Sequence, residues 1–199
     1  MGVVITIVVI VVVVLLIVWV IAGYNKLIRN RNAYKNAFSQ IDVQLQRRFD
    51  LIPNLVETAK AYMAHERQTL DSVTQARGAA MQGLDAAKAS PGDPAAMAKL
   101  AQTQGALTAA LGRFTAVAEA YPDLKASQNM QQLTEELSST ENRVAFSRQA
   151  YNDSVNQFNN SREVFPTSVL AGIFNFSPAA LWEIGPEHPE AREAPKVQF

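Results

Sequence analysis

Residues 24–58 form the stretch YNKLIRNRNAYKNAFSQIDVQLQRRFDLIPNLVET. Its apolar residues alternate at spacings of three and four: Leu27, Tyr34, Phe38, Ile41, Leu45 and Ile52, with Arg31 and Arg48 standing in two places of the same series. That is a heptad seam of the coiled-coil kind, and it predicts a helix with one continuous apolar face. No Gly or Pro interrupts it between Tyr24 and Ile52. Pro53 removes a backbone donor and disfavours helical geometry at the residue before it, so a kink or break is expected there.

Immediately upstream, Val3 to Ala22 is almost wholly Val, Ile and Leu, broken by Thr6 and Trp19. As a helix this run is about 30 Å long, the thickness of a bilayer's hydrocarbon core. A helix is the one single-segment structure that satisfies its own backbone in lipid. Trp19 and Tyr24 fall near one end, where aromatic rings favour the membrane interface. Val20-Ile21-Ala22 could pass as a signal-peptide cleavage site. Against that, no Lys or Arg precedes the run and the run exceeds the usual signal core, so an uncleaved anchor is expected. Lys26, Arg29, Arg31 and Lys35 follow the span with no acid until Asp42. The positive-inside rule then places the C-terminal part in the cytoplasm, the alternative being the periplasmic or extracellular face. The same basic residues would attract anionic head groups.

Downstream, three more helical stretches are expected. The first runs from about Asn54 to Ala89 with the stripe Leu55, Ala59, Tyr62, Leu70, Val73, Ala80, Leu84 and Ala87. Ser90 to Pro94 is a turn cluster, with Asp93 as N-cap and Pro94 at the first helical position. The next, Ala95 to Ala120, carries Met97, Leu100, Leu107, Leu111 and Phe114, with Gln104 as its one polar break. The last, about Leu124 to Asn160, carries Met130, Leu133, Leu137, Val144, Tyr151, Val155 and Phe158. Long helices joined by short loops pack antiparallel. The fold class is therefore all-α: an N-terminal transmembrane helix continuing into an elongated antiparallel bundle of long helices. The expected organisation is an anchor at 1–23, a bundle at 24–182 and a mobile tail rich in Pro and Glu at 183–199. The apolar segment from Val164 to Phe176 is too short to span a bilayer. It is expected to pack on the end of the bundle, the alternative being an interfacial or subunit contact.

Composition narrows the chemistry. The chain has 199 residues, 18 Lys+Arg against 18 Asp+Glu, two His and no Cys. A balanced charge argues against a nucleic-acid binder. Without Cys there is no disulfide, thiolate nucleophile or thiolate metal site. His65-Glu66 lacks the second His one turn on, since Thr69 stands there, and neither His has a Glu three residues before it. No phosphate loop or nucleophile elbow is present. These readings give no catalytic residue, no cofactor, no metal site and no enzyme.

Two polar clusters remain as candidate sites. Arg47, Arg48 and Asp50 precede Asn54 and Glu57, and Glu141, Asn142 and Arg143 lie in the middle of the last helix. Glu141 or Glu136 is placed to pair with Arg47 or Arg48 between helices. One reading is a buried ion-pair network that sets helix register, and the other is a groove for a partner peptide. Tyr34, Phe38 and Phe49 offer large area on the juxtamembrane helix and are candidate contacts in a homo-oligomer.

Several runs resemble the LemA family: Tyr24 to Leu27, Ser39 to Thr58, Tyr62 with His65-Glu66, Ala76-Arg77, Tyr121 to Ala126, Thr140 to Arg143, Tyr151-Asn152, Phe158-Asn159 and Phe165-Pro166. The resemblance extends from the anchor to about Trp182. It implies a bacterial single-pass membrane protein with an antiparallel helical bundle and no established enzymatic activity. One branch of the family serves in building magnetosome membranes, which implies membrane organisation. Leu181-Trp182-Glu183 departs from the Phe and Glu common there. The expected function is a non-enzymatic, self-associating scaffold with the lipid bilayer, its own copies and other membrane proteins as partners and no nucleic acid. The alternative is an adaptor that presents clients to a membrane-bound machine such as a protease.

Overall fold

The computed structural model describes residues 1–183. Six helices follow one another: α1 (Gly2–Lys60), α2 (Arg67–Ala89), α3 (Pro94–Ala118), α4 (Pro122–Ala126), α5 (Gln128–Glu163) and α6 (Thr167–Ile173). The 59 residues of α1 form one rod about 90 Å long. Its first third is the Val-rich stretch, long and apolar enough to cross a membrane and with none of its most apolar window buried among the described residues. Its remainder is the central helix of an antiparallel bundle with α2, α3 and α5. The N-terminus of α3 is capped as its sequence predicts, with Asp93 Oδ1 accepting from the Ala96 N–H at 2.9 Å. Of the tail expected at 183–199, residues 184–199 lie outside the described residues.

Pro53 does not break α1. The helix runs on to Lys60, and the break expected at Pro53 falls at Ala61–Glu66, a stretch with neither Gly nor Pro. The reason is tertiary. Proline cannot donate to the carbonyl four residues back, which is that of Phe49. Arg77 of α2 supplies the missing donor, its Nε lying 2.7 Å from Phe49 O. Arg77 occupies a polar place in the stripe of α2, and this contact accounts for it. At the far end of the bundle the Tyr121 hydroxyl donates to Glu66 Oε1 at 3.1 Å, tying the α1–α2 turn to the α3–α4 turn. His65 is exposed in that turn. The helix expected from Leu124 to Asn160 is likewise divided, with Ser127 between α4 and α5.

The apolar residues of the α1 seam are all buried, from Leu27 to Ile52. The proposed subunit contacts must be corrected. Tyr34, Phe38 and Phe49 are 6%, 2% and 0% exposed, so none offers surface to another copy. A helix facing a single neighbour needs one apolar stripe. This one is packed by helices on several sides, so adjacent residues such as Arg48 and Phe49, or Leu55 and Val56, are buried together. Tyr34 and Phe38 meet Tyr151 edge-on, with ring centroids 6.4 and 5.8 Å apart.

At the end nearest the apolar span, α6 packs on both α1 and α5. The segment after it returns along α5, held by two asparagines seven residues apart on one face. Asn159 pairs with both backbone groups of Ala179, at 2.8 and 3.0 Å, and Asn152 does the same with Trp182, at 3.1 and 2.9 Å. Between them Tyr151 donates its hydroxyl to Ala180 O at 2.8 Å. The Ala180 N–H donates to Gly92 O at 2.8 Å, which pins the α2–α3 turn beneath this strap. Gly92 has φ of 87°, and a Cβ there would lie 3.0 Å from that of Ala179, so the turn admits glycine on both counts. Arg31, the other arginine of the α1 seam, stacks over the Phe176 ring of the strap at 5.5 Å.

Candidate functional site

The two polar clusters named from the sequence meet midway along the bundle. Arg48 is 3% exposed and points between α3 and α5. Its Nη2 donates to Thr108 Oγ1 at 3.0 Å and to Glu141 Oε1 at 3.4 Å, and its Nη1 donates to Gln104 Oε1 at 3.5 Å. Arg47, half-exposed, reaches Glu136 at 3.9 Å. Both arginines therefore bridge α1 to α5, in the pairing that antiparallel packing allows. Asp50 and Arg143 are exposed and make no side-chain bond among the described residues. Glu57 pairs with Lys60 at 2.9 Å on its own helix.

Desolvation pushes the Arg48 guanidinium below the ordinary arginine range, and the Glu141 charge pushes it back. A guanidinium keeps its proton in any case, so a cation stays in the core. Its compensation is incomplete. Glu141 is half-exposed, two of the three bonds are long, and Arg48 Nε and Gln104 Nε2 have no protein partner among the described residues. Burying such a charge costs several kcal/mol, which one solvated carboxylate does not offset. The network is therefore poorly suited to adding stability. It is well suited to allowing one helix register only, since a shift by one residue strands the charge.

Gln104 and Thr108 escaped the sequence reading as members of this site. Gln104 did leave a signal, as the one polar residue in an otherwise apolar stripe. Asn152 and Asn159 left no periodic signal, because their partners are backbone groups.

Two grooves flank the network. One, of about 480 Å³, lies between α1 and α5 and is lined by Asn54, Glu57, Thr58, Asn129, Gln132 and Glu136. The other, of about 620 Å³, lies between the ends of α3 and α5. Its apolar floor is Ala118, Leu124 and Met130, and its rim carries Glu119, Lys125, Glu135 and Asn142. Among the described residues no group of three or more His, Asp or Glu side chains is placed to hold a metal.

The family model described as LemA family matches residues 37–199. The chain belongs to the LemA family. It is 26% identical over 159 residues to Protein LemA of Metamycoplasma hominis, covering 80% of this chain and 68% of that one. It is 25% identical over 181 residues to Magnetosome protein MamQ 2 of Paramagnetospirillum magneticum, covering 82% and 65%. It is 25% identical over 171 residues to Magnetosome protein MamQ of Magnetospirillum gryphiswaldense, covering 77% and 62%. The chain thus spans about two thirds of the length of these relatives. Neither the family description nor the relatives' names denote an enzyme. The apolar N-terminal helix and these relatives together support a membrane-associated LemA-family protein.

Proposed function

We propose that this LemA-family chain is a non-enzymatic, single-pass scaffold that self-associates and organises a protein assembly at the bacterial inner membrane, with its bundle in the cytoplasm. The observation that carries this reading is the unbroken α1. One rod passes from the apolar span to the far end of the bundle, so any rotation or tilt of the anchor is transmitted directly to the bundle surface. A catalyst tethered for location alone needs no such stiffness. Similarity to proteins named for the magnetosome favours an organising role over a catalytic one.

Self-association needs a surface other than the buried aromatics of α1. The register that sets Arg48 beside Glu141 and Phe38 beside Tyr151 brings Val43 and Phe146 to the same height on α1 and α5. Both are exposed, Phe146 to 73%. Confinement to a membrane raises the effective concentration of such a contact. Light scattering of the full-length protein in mild detergent tests this. Wild type should run as a homo-oligomer at micromolar concentration, and Phe146→Glu should lower the mass with helicity unchanged. A monomeric wild type would remove the scaffold reading. The alternative would then be an adaptor that presents clients to a membrane-bound machine, for which the apolar groove between α3 and α5 is the docking place.

A further inference from the structure

From Val164 to Trp182 the chain carries no charged residue, the longest such stretch after the N-terminal span. Part of it belongs to the core: Leu170, Ala171, Phe176, Ala179 and Trp182 are buried. Another part faces outward. Phe165, Val169, Ile173 and Phe174 are 78%, 48%, 64% and 46% exposed. Val169 and Ile173 are four residues apart on α6 and so share one face, while Leu170 and Ala171 turn inward. Elsewhere on the bundle the exposed large apolar side chains are scattered, as at Val43, Tyr62 and Phe146, whereas this one short segment concentrates four of them.

The position of that segment is fixed by α1. Leu170 packs into the space that a Cβ on Gly23 would fill. The Tyr24 ring meets Phe174 and Phe176 edge-on at 4.9 and 5.9 Å. Gly23 and Tyr24 are the first residues after the apolar span. Trp19 and Val20, in its last turns, are partly covered by the core. Because α1 is one rod, α6 lies at the height where a bilayer containing the span passes from hydrocarbon to head groups. Lys26 and Arg29 are exposed about one turn further out, at head-group height.

We propose that the face formed by Phe165, Val169, Ile173 and Phe174 inserts into the interfacial zone of the bilayer, as a second membrane contact beside the span. The inference rests on α1 crossing the membrane. With 7 residues α6 is too short to span, but an apolar face of this kind lies in the interface plane while Lys and Arg meet anionic lipid. Two contacts set the bundle's rotation about the membrane normal, which one helix alone leaves free. That gives every copy the same surface towards its neighbours.

The chain has no Cys, so single-cysteine variants of the full-length protein carry one probe each. An environment-sensitive fluorophore is placed at Ile173→Cys, Val169→Cys, Val11→Cys within the span, and Ser139→Cys on exposed α5. The proteins are reconstituted at high dilution in vesicles of phosphatidylcholine and phosphatidylglycerol. Probes at 169 and 173 should shift to the blue and lose most of their emission to a nitroxide carried near the lipid head group. They should lose little to aqueous iodide, which should quench the probe at 139. Quenching of 169 and 173 by iodide as at 139 overturns the proposal, and so does shielding from both quenchers, the signature of a second copy on this face. If the probe at 11 escapes a nitroxide deep in the acyl chains, the anchor reading fails and the interfacial contact fails with it. If it is quenched, failure at 169 and 173 counts against the interfacial contact alone.

Discussion

If Pro53 is tolerated because Arg77 serves the carbonyl it strands, the two residues must be coupled energetically. Arg77→Leu retains the apolar bulk of the stem and deletes the donor to Phe49 O. That oxygen then lies beside a fully buried side chain with no partner in its own helix. A hydrogen bond from a charged donor contributes about 1.5–3 kcal/mol, and the partial exposure of Arg77 favours the lower end. Pro53→Ala restores a backbone N–H to the same carbonyl. In that background Arg77→Leu should cost only about 0.5 kcal/mol, as a surface change would. The coupling from the double-mutant cycle is therefore about 1 kcal/mol or more. For a chain of this size that is a difference of about 2–4 °C in Tm between the two Arg77 substitutions. Thermal unfolding of the full chain in mild detergent, followed by far-ultraviolet circular dichroism, reads it out. Equal losses in the two backgrounds would refute the reasoning, because Arg77 would then act by packing or charge, with no link to the proline.

Three further outcomes follow from the same structure. Arg48→Met keeps bulk and removes the buried charge, so it should be neutral or stabilising, whereas Glu141→Gln leaves the guanidinium less compensated and should cost about 1–2 kcal/mol; both are read by thermal melts. Burial raises the Tyr151 hydroxyl above its ordinary 10.0, and Tyr34 shifts the same way. A raised folded pKa stabilises fully below pH about 10 and is lost as pH climbs towards the folded value, so alkaline melts should steepen there. Tyr151→Phe should cost about 1 kcal/mol at neutral pH and flatten that alkaline slope. For topology, a cysteine at exposed Ser90 should resist a membrane-impermeant thiol reagent in intact cells, and ready labelling would reverse the orientation drawn from the charge asymmetry.

The failure at Phe49 shows where single-sequence reasoning stops. Phe49 sits at the margin of the α1 seam, and from spacing alone a margin residue can face solvent or a second subunit. The structure gives α1 several helical neighbours, which widens the buried arc until it encloses Phe49. Phe49→Glu is consequently expected to unfold the bundle, where the sequence reading would have it merely split an oligomer. The ion pairs were half legible. Arg48 at a stripe place and Glu141 in the polar cluster of the last helix pointed to the pair, while Thr108, lacking charge, did not.

What the sequence determined by itself is whatever depends on residues within a few turns of one another. The apolar span, the seam from Leu27 to Ile52, the Asp93 cap on α3 and the all-α class are of this kind. Hydrophobic period and capping chemistry act locally and leave their pattern in the order of residues. What only the tertiary structure decided depends on partners far apart in the chain. The fate of Pro53 rests on Arg77 reaching the Phe49 carbonyl 28 residues back, and the partial compensation of Arg48 rests on Glu141, 93 residues away. The strap rests on Asn152 and Asn159 finding backbone groups 30 and 20 residues on. A backbone carbonyl is identical in every residue and so carries no mark of which side chain will meet it. That choice is made by packing, when the register of the helices brings one donor to it.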